Sequence, residues 1–345
     1  MSFVVRRAEE KDLEDIYSLS KQFVLLNLPS DKRKISDKID LSLQSFSGAV
    51  SRDKARFLFV VEDLEQSRVV GSAQVVGKKG TPENPNFSFQ IIKKERFSPD
   101  LSVGFIHQIL RLKMDTDGPS EVGGLVVDKN YRRRPEKVGR TLSLARFLYI
   151  GLHQDYFEDM LLSELAPPLT DEGRSEFWEA LGRRFTGMPY KEADALSGQN
   201  KEFIKSLFPE EDIYACLLDS RARLVMGQVS NQTRPALHLL KRIGFDFNNE
   251  VDPFDGGPHV QCPTKDVTLI KDGQHCTFKG ENSSGTYSQR GLVALSRNNQ
   301  FYAVEASYEL QGQNIFLPKH ICSSLEIDTG ETLMVSPDRA KETIV

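Results

Sequence analysis

Tyr131 to Phe147 reads YRRRPEKVGRTLSLARF, so Arg132, Arg133, Arg134 and Lys137 stand in front of Gly139 and an amphipathic stretch. The apolar run VGGLVV lies directly upstream. A helix leaves the N–H groups of its first turn unpaired and carries partial positive charge there, which suits an anion. Glycine admits close backbone approach, and arginine offers paired donors to phosphate oxygens. Such a turn between a strand and a helix is chemistry for a diphosphate. The bland alternative is a solvated basic turn.

Further along, MGQVSNQT (226–233) and DPFDGGP (252–258) gather hydroxyl, amide and carboxylate groups in short compass. Cys216, Cys262, Cys276 and Cys322 form no CxxC pair, and the histidines lack HExxH or HxxxH spacing, so the pattern points to neither a disulfide framework nor a metal.

The elements that must position these residues follow from periodicity. Residues 3–7 (FVVRR) form a strand, and Leu13, Ile16, Leu19 and Phe23 mark one helix face. A second helix is expected from Lys34 to Phe46. RFLFVVED and RVVGSAQVV predict a hairpin and FSFQII a strand, while VGFIHQILRLKM suits either a helix or a buried strand. Strand VGGLVV, a helix from Val138 to Gly151 and strand DMLLSEL come next, then a polar, mostly helical stretch over 171–220. RLVMGQVS is expected as a strand and PALHLLKRI as a helix stopped by Gly244. FWEALGRRF and LHLLKRIGFDF echo each other as helix, glycine, phenylalanine. The order predicts an α+β (α/β) fold around a mixed sheet flanked by helices. After Lys271 the sequence turns Gly-, Ser- and Asn-rich, then alternates, which predicts a small β module over 271–345.

With 345 residues and a net charge of −4, the chain has no global basic field for nucleic acid, so any anion is held locally. No segment approaches the ~20 apolar residues that cross a bilayer. The acidic start points to the cytoplasm.

Strand, basic glycine turn, long helix, strand, then a helix ending in Gly and Phe resembles the GNAT acetyltransferase superfamily. Its acyl-CoA signature is Q/R-x-x-G-x-G/A, and Arg134 to Gly139 (RPEKVG) fills that frame with Lys137 replacing the first glycine. A closer resemblance, over about residues 1–270, is to the arginine N-succinyltransferases of bacterial arginine catabolism. It is carried by LLNLP (25–29), GPSEVGGLVVDKNYR (118–132), LARF (144–147), SEFWEALGRRF (175–185), VMGQVSNQTRPA (225–236) and DPFDGGP (252–258). The resemblance implies a GNAT-like core over 1–190, an additional strand–helix subdomain over 191–270, and transfer of a succinyl group from succinyl-CoA to L-arginine. Succinyl-CoA is then a co-substrate, with no tightly bound cofactor, and a homo-oligomer is expected.

Carried over residue by residue, Leu125, Val126 and Val127 would line the pantetheine arm. Arg132, Arg133, Arg134 and Lys137, with the Val138, Gly139 and Arg140 amides, would hold the diphosphate. The family's proton-donating histidine sits in G-Q-V-H-P-Q-T, where this chain has Ser230. A serine hydroxyl relays a hydrogen bond but does not titrate near neutrality. Trp178 and Leu240 fall where many GNAT enzymes carry a proton-donating tyrosine, and His238, two helical turns beyond Ser230, is the other candidate acid. For the acceptor, Glu121, Asp252 and Asp255 are the expected carboxylates and Asn27 a further contact. Ser230 keeps two alternatives open: another acyl-CoA and amine such as ornithine, or a non-catalytic acyl-CoA or arginine-binding protein.

Overall fold

The computed structural model describes residues 3–22, 28–198 and 200–338. Strand β1 (Phe3–Arg7) leads to helices α1 (Leu13–Ser20) and α2 (Lys32–Phe46), then to the hairpin β2 (Arg56–Asp63) and β3 (Arg68–Val76). A long hairpin, β4 (Asn86–Ser98) and β5 (Val103–Asp115), precedes β6 (Ser120–Val127), α3 (Val138–Leu152) and β7 (Met160–Glu164). Short elements follow: α4 (Glu176–Ala180), α5 (Gly182–Thr186), α6 (Tyr190–Ser197), α7 (Glu202–Leu207), β8 (Ile213–Tyr214) and α8 (Ser220–Val225). Helix α9 (Arg234–Arg242) then feeds β9 (Asp246–Val251) and β10 (Pro258–Pro263). The remainder comprises α10 (Thr268–Lys271), β11 (Gln274–Gly280), β12 (Gln289–Arg297), β13 (Gln300–Gln311), β14 (Asn314–Phe316), α11 (Lys319–Leu325) and β15 (Thr332–Pro337). The expected mixture of sheet and flanking helices is what forms.

The chain divides into two compact units. One takes the described residues of 1–77, 122–159 and 264–345, the other those of 78–121 and 160–263. These units interleave along the sequence and so do not follow the consecutive division 1–190, 191–270 and 271–345.

In the first unit the strand order is β12-β15-β11-β14-β13-β1-β2-β3-β6. The β module after residue 271 is no separate appendage: β13 pairs antiparallel with β1 through Val5↔Ala303 and Arg6↔Tyr302. That pairing satisfies a backbone edge that β1 would otherwise expose. Helices α1 and α2 bury Ile16, Leu19, Ile35 and Ile39 against Leu58, Val60, Val69 and Val126. Helix α3 is buried almost all round, and its Tyr149 meets Phe59 and Phe301 edge-on at 5.3 Å each.

In the second unit the strands run β7-β10-β9-β4-β5-β8, joined to β7 by the first residues of β6. β7 and β10 are antiparallel with His259 opposite Glu164, and β6 pairs in parallel with β7 at Ser120↔Leu161 and Glu121↔Leu162. The core gathers Phe89, Phe177, Trp178, Ile204, Val251 and Phe254.

One ambiguity is resolved and two expectations are corrected. VGFIHQILRLKM is strand β5, paired with β4 over its whole length. RLVMGQVS is not a strand, because Asp219 caps the turn before it by accepting from the Arg221 N–H, and residues to Val225 wind as α8. The echo of FWEALGRRF also fails: the helix breaks at Leu181, and Gly182 lies against the Trp178 ring rather than ending a helix as Gly244 does.

Candidate functional site

The basic turn lies in the first unit. Asp128, 1% exposed, anchors it by accepting from Asn130 N–H at 2.9 Å and from Arg68 Nη2 at 3.0 Å. Tyr131 is buried and donates its hydroxyl to Asp63 Oδ2 at 2.9 Å. Burial, then the Asp63 carboxylate, raises its pKa. Arg132 Nε donates to the Val127 carbonyl at 3.0 Å, and the Arg134 guanidinium lies 4.3 Å from the Tyr131 ring centre. The turn is thus clamped from below while Arg133, Arg134 and Lys137 stay exposed.

Lys137 stands at the N-cap of α3 with φ +50 and ψ 41, the left-handed region where the family pattern has glycine. Its carbonyl accepts the Arg140 N–H at 2.8 Å, which leaves the Val138 and Gly139 N–H groups as the helix's unpaired donors. A Cβ on Gly139 would come within 3.2 Å of Val127 Cγ2, so glycine sets how closely α3 starts against β6. The Arg140 amide, expected at the diphosphate, is thus spent on the Lys137 carbonyl, and its guanidinium is engaged as well: Nη2 lies 2.7 Å from Asp338 Oδ1 and Nη1 3.9 Å from Glu305 Oε2. Val126 and Val127 bury their side chains, so only their backbone is available to a ligand, whereas Leu125 is half-buried.

Beneath β6, Arg146 is 3% exposed and donates to the carbonyls of Gly123 at 3.0 Å and Gln74 at 3.3 Å. Burial without a carboxylate lowers its pKa to about 10. It fixes β6 where Gly124, at φ +60, departs from extended geometry.

Substituting Lys137 with glycine removes a left-handed lysine that costs about 1 kcal/mol. We expect K137G to raise the denaturation midpoint accordingly, read by urea unfolding with an unchanged slope.

The carboxylates expected for the acceptor lie in the second unit. DPFDGGP is a turn, and its geometry holds two of them. Asp252 Oδ1 accepts from the N–H groups of Phe254 at 2.8 Å and Asp255 at 3.1 Å, and Asp255 Oδ1 accepts from Gly257 N–H at 2.8 Å. Phe254 stacks on Trp178 at 5.2 Å and anchors the turn in the core.

Around it gather groups that sequence spacing did not reveal. Lys79 Nζ sits 3.1 Å from Glu121 Oε2 and 2.5 Å from Glu164 Oε2. His259, fully buried, places Nε2 3.5 Å from Glu164 Oε1 and Nδ1 3.8 Å from Glu250 Oε2. Ligand atoms of Glu164, Asp252 and His259 lie within 4.8 Å of one another, but Glu164 already holds the Lys79 ammonium there, so a lysine supplies the positive charge a metal would bring.

Electrostatics divide this cluster. Burial works against Glu164, yet Lys79 and His259 hold it down at about 2. Glu250 is likewise held at about 2, against burial, by His259, Lys113 and Ser88. Burial opposes the charge on Lys79, but Glu121 and Glu164 raise its pKa. Lys201 is lowered by burial and by Lys79. Three aspartates go the other way. Burial and the Glu164 charge raise Asp252, burial and Asp252 raise Asp255 well above the carboxylate range, and the same pair of causes puts Asp194 at about 7. Among the described residues, Glu121, Glu164, Asp194, Asp252 and Asp255 have Lys79 and Lys201 as their cationic neighbours, with the His259 imidazole beside them. The cluster holds more carboxyl groups than cations, which is why Asp194 and Asp255 keep protons there.

A carboxyl group with a raised pKa contributes stability that is complete below its unfolded value and lost as pH rises through its folded value. For Asp194 that window runs from about 4 to above 7. We expect D194N to leave the melting temperature nearly unchanged only near pH 3.5, to stabilise the ligand-free protein by about 1–1.5 kcal/mol at pH 5, and by about 3–4 kcal/mol at pH 8. Thermal denaturation at these pH values checks this.

Ser230 donates its N–H to the Ala166 carbonyl at 3.0 Å, two residues beyond Glu164. Its hydroxyl is 2.8 Å from Thr233 Oγ1 and accepts from Thr233 N–H at 3.2 Å, closing the turn before α9. His238 projects exposed from α9. Asn27 lies outside the described residues.

A family model described as "Arginine N-succinyltransferase beta subunit" matches residues 3–269. An arginine N-succinyltransferase of Yersinia pestis (strain Pestoides F) is 30% identical over 348 residues, covering 98% of this chain and 99% of the relative. One from Enterobacter sp. (strain 638) is 31% identical over 334 residues, covering 96% of each. The likeness therefore extends past residue 270 and takes in the C-terminal strands. The solved arginine/ornithine succinyltransferase subunit AI from Pseudomonas aeruginosa superposes with a TM-score of 0.84 at 27% identity, covering 97% of this chain and 98% of that one. No helix among the described residues is long and apolar enough to cross a membrane.

Proposed function

Since the chain belongs to the arginine N-succinyltransferase family and is an acyltransferase, we propose that it transfers the succinyl group of succinyl-CoA to the α-amino group of L-arginine. The observation that carries the choice of acceptor is the surplus of half-buried carboxylate around Asp252 and Asp255. A guanidinium brings a permanent charge and a planar fork of donors that match paired carboxylates. It would offset the burial and the mutual repulsion that together raise Asp194, Asp252 and Asp255. Lys201, its charge disfavoured by burial and by Lys79, is a donor for the acceptor's own carboxylate.

For the donor substrate, the Val138 and Gly139 N–H groups with Arg133, Arg134 and Lys137 would grip the diphosphate of CoA. The backbone of Leu125 to Val127 would lie along its pantetheine. Backbone N–H groups aimed at the thioester oxygen stabilise the oxyanion that forms on attack. Approximation of amine and thioester supplies much of the remaining acceleration. An α-ammonium titrates near 8 and a thiol near 8.5, so a weak base suffices and the thiolate departs readily.

A thiol-release assay with succinyl-CoA and a panel of amines tests this. Turnover with arginine, and none with the neutral isostere citrulline as a side-chain mimic, is the expected result. Ser230 in place of the family's histidine favours a second reading, in which ornithine or another amine is acylated, or ligands bind without turnover. Release with ornithine alone, or binding without release, would select it.

A further inference from the structure

His259 is an imidazole that the fold buries completely and leaves without a hydrogen-bond partner at either ring nitrogen. An unpartnered buried polar group costs about 1–3 kcal/mol, so its retention needs a reason. The ring sits on β10 between two carboxylates, Glu164 on β7 at 3.5 Å and Glu250 on β9 at 3.8 Å. Asp252 approaches from the turn after β9. Behind these stand Lys79 and Glu121 on the Glu164 side, Lys113 of β5 on Glu250, and Lys201 ahead of α7. Glu164 is 22% exposed at its side chain while the imidazole is fully enclosed, so Glu164 is the cluster's outlet.

We propose that His259 is the proton reservoir of acyl transfer, receiving through Glu164 the proton that the acceptor's ammonium must lose. This rests on the arginine reading above, and it answers the loss of an imidazole at position 230. Glu164 contacts the amine; held low by Lys79, it passes the proton on rather than keeping it. Imidazole is the side chain whose ordinary titration lies nearest neutrality. The balance is complete without a further reactant. The ammonium gives one proton to Glu164 and thence to Nε2 of His259, and the free amine attacks the thioester carbon. As the C–N bond forms and the C–S bond breaks, the second amine proton goes to the departing thiolate, giving CoA and the amide. His259 then returns its proton to water through Glu164. It is a positioning and relay residue, since it does not touch the substrate.

The test is single-turnover succinyl transfer from pH 5.5 to 9 with H259Q. The wild type should lose rate on the acid side as the imidazole becomes protonated in advance. H259Q should be slower by at least ~100-fold at neutral pH, with arginine and succinyl-CoA affinities within about threefold of wild type and the acid limb abolished. S230H in the H259Q background should recover at least ~10-fold by restoring an imidazole. An H259Q enzyme with wild-type rate and an intact acid limb overturns the proposal. Should H259Q fail to fold, E250Q serves: losing the carboxylate at Nδ1 should move the acid limb to lower pH without changing arginine affinity, and an unmoved limb overturns the proposal equally. A wild-type enzyme inactive with arginine sinks the acceptor assignment instead, so the two failures are distinguishable.

Discussion

Replacing Asp252 with asparagine should raise the KM for arginine about 100-fold while the ligand-free protein becomes no less stable. The opposite signs follow from one cause. Asp252 lies half-buried among other acids, with its pKa raised by burial and by Glu164, so its charge is a burden in the empty protein. Asparagine keeps the Oδ1 acceptor that closes the turn onto the Phe254 and Asp255 N–H groups, so the backbone is undisturbed. What disappears is a charge-assisted hydrogen bond to a desolvated guanidinium, worth about 2–3 kcal/mol. The KM for succinyl-CoA should not move. Steady-state kinetics with each substrate varied in turn, together with a melting curve, read both halves. A variant that loses stability and arginine affinity together would mean that Asp252 is only a structural group.

The second large effect concerns the donor substrate. Charge reversal in the double variant R133E/R134E should raise the KM for succinyl-CoA by about 100-fold or more at low salt. The gap to wild type should narrow as ionic strength increases, because exposed charges are screened over about 10 Å at 0.1 M salt. Both side chains are exposed on a turn clamped independently by Asp128 and Tyr131, so the fold should survive. The stacking of Arg134 on Tyr131 is the structural loss, worth about 0.5–1 kcal/mol at an exposed site. Rate at saturating succinyl-CoA should change little, since arginines in the proposed diphosphate role would act in ground and transition states alike.

The proposed donor side was legible in the sequence because its parts are contiguous. A strand, a basic turn and a helix start within some twenty residues carry their own signals, and even the irregular Lys137 stood out against the glycine frame. DPFDGGP was legible as a turn and as a source of carboxylates. The rest of the acceptor cluster was not, because Lys79, Glu164, Lys201 and His259 are brought together by strand pairing and loop packing that no local spacing encodes. The signals present were faint: Glu164 ends the apolar run MLLSE with a charge, and His259 follows the turn that holds Asp252 and Asp255. The ambiguity of β5 has a different origin. Its tip exposes Phe105 and Ile106, at 62% and 66%, so apolar character there does not report burial. The β1–β13 pairing joins residues some three hundred apart, which is why the last segment read as an appendage.

Calorimetric titration of L-arginine in two buffers of different ionisation enthalpy at pH 7 reaches the central claim most directly. Asp194, at about 7, and Asp255, raised well above the carboxylate range, hold protons in the empty protein that an arriving guanidinium must displace. The account predicts binding with net proton release, and markedly weaker binding without that release for citrulline. Proton uptake, no linked proton, or equal behaviour of the two ligands would contradict it.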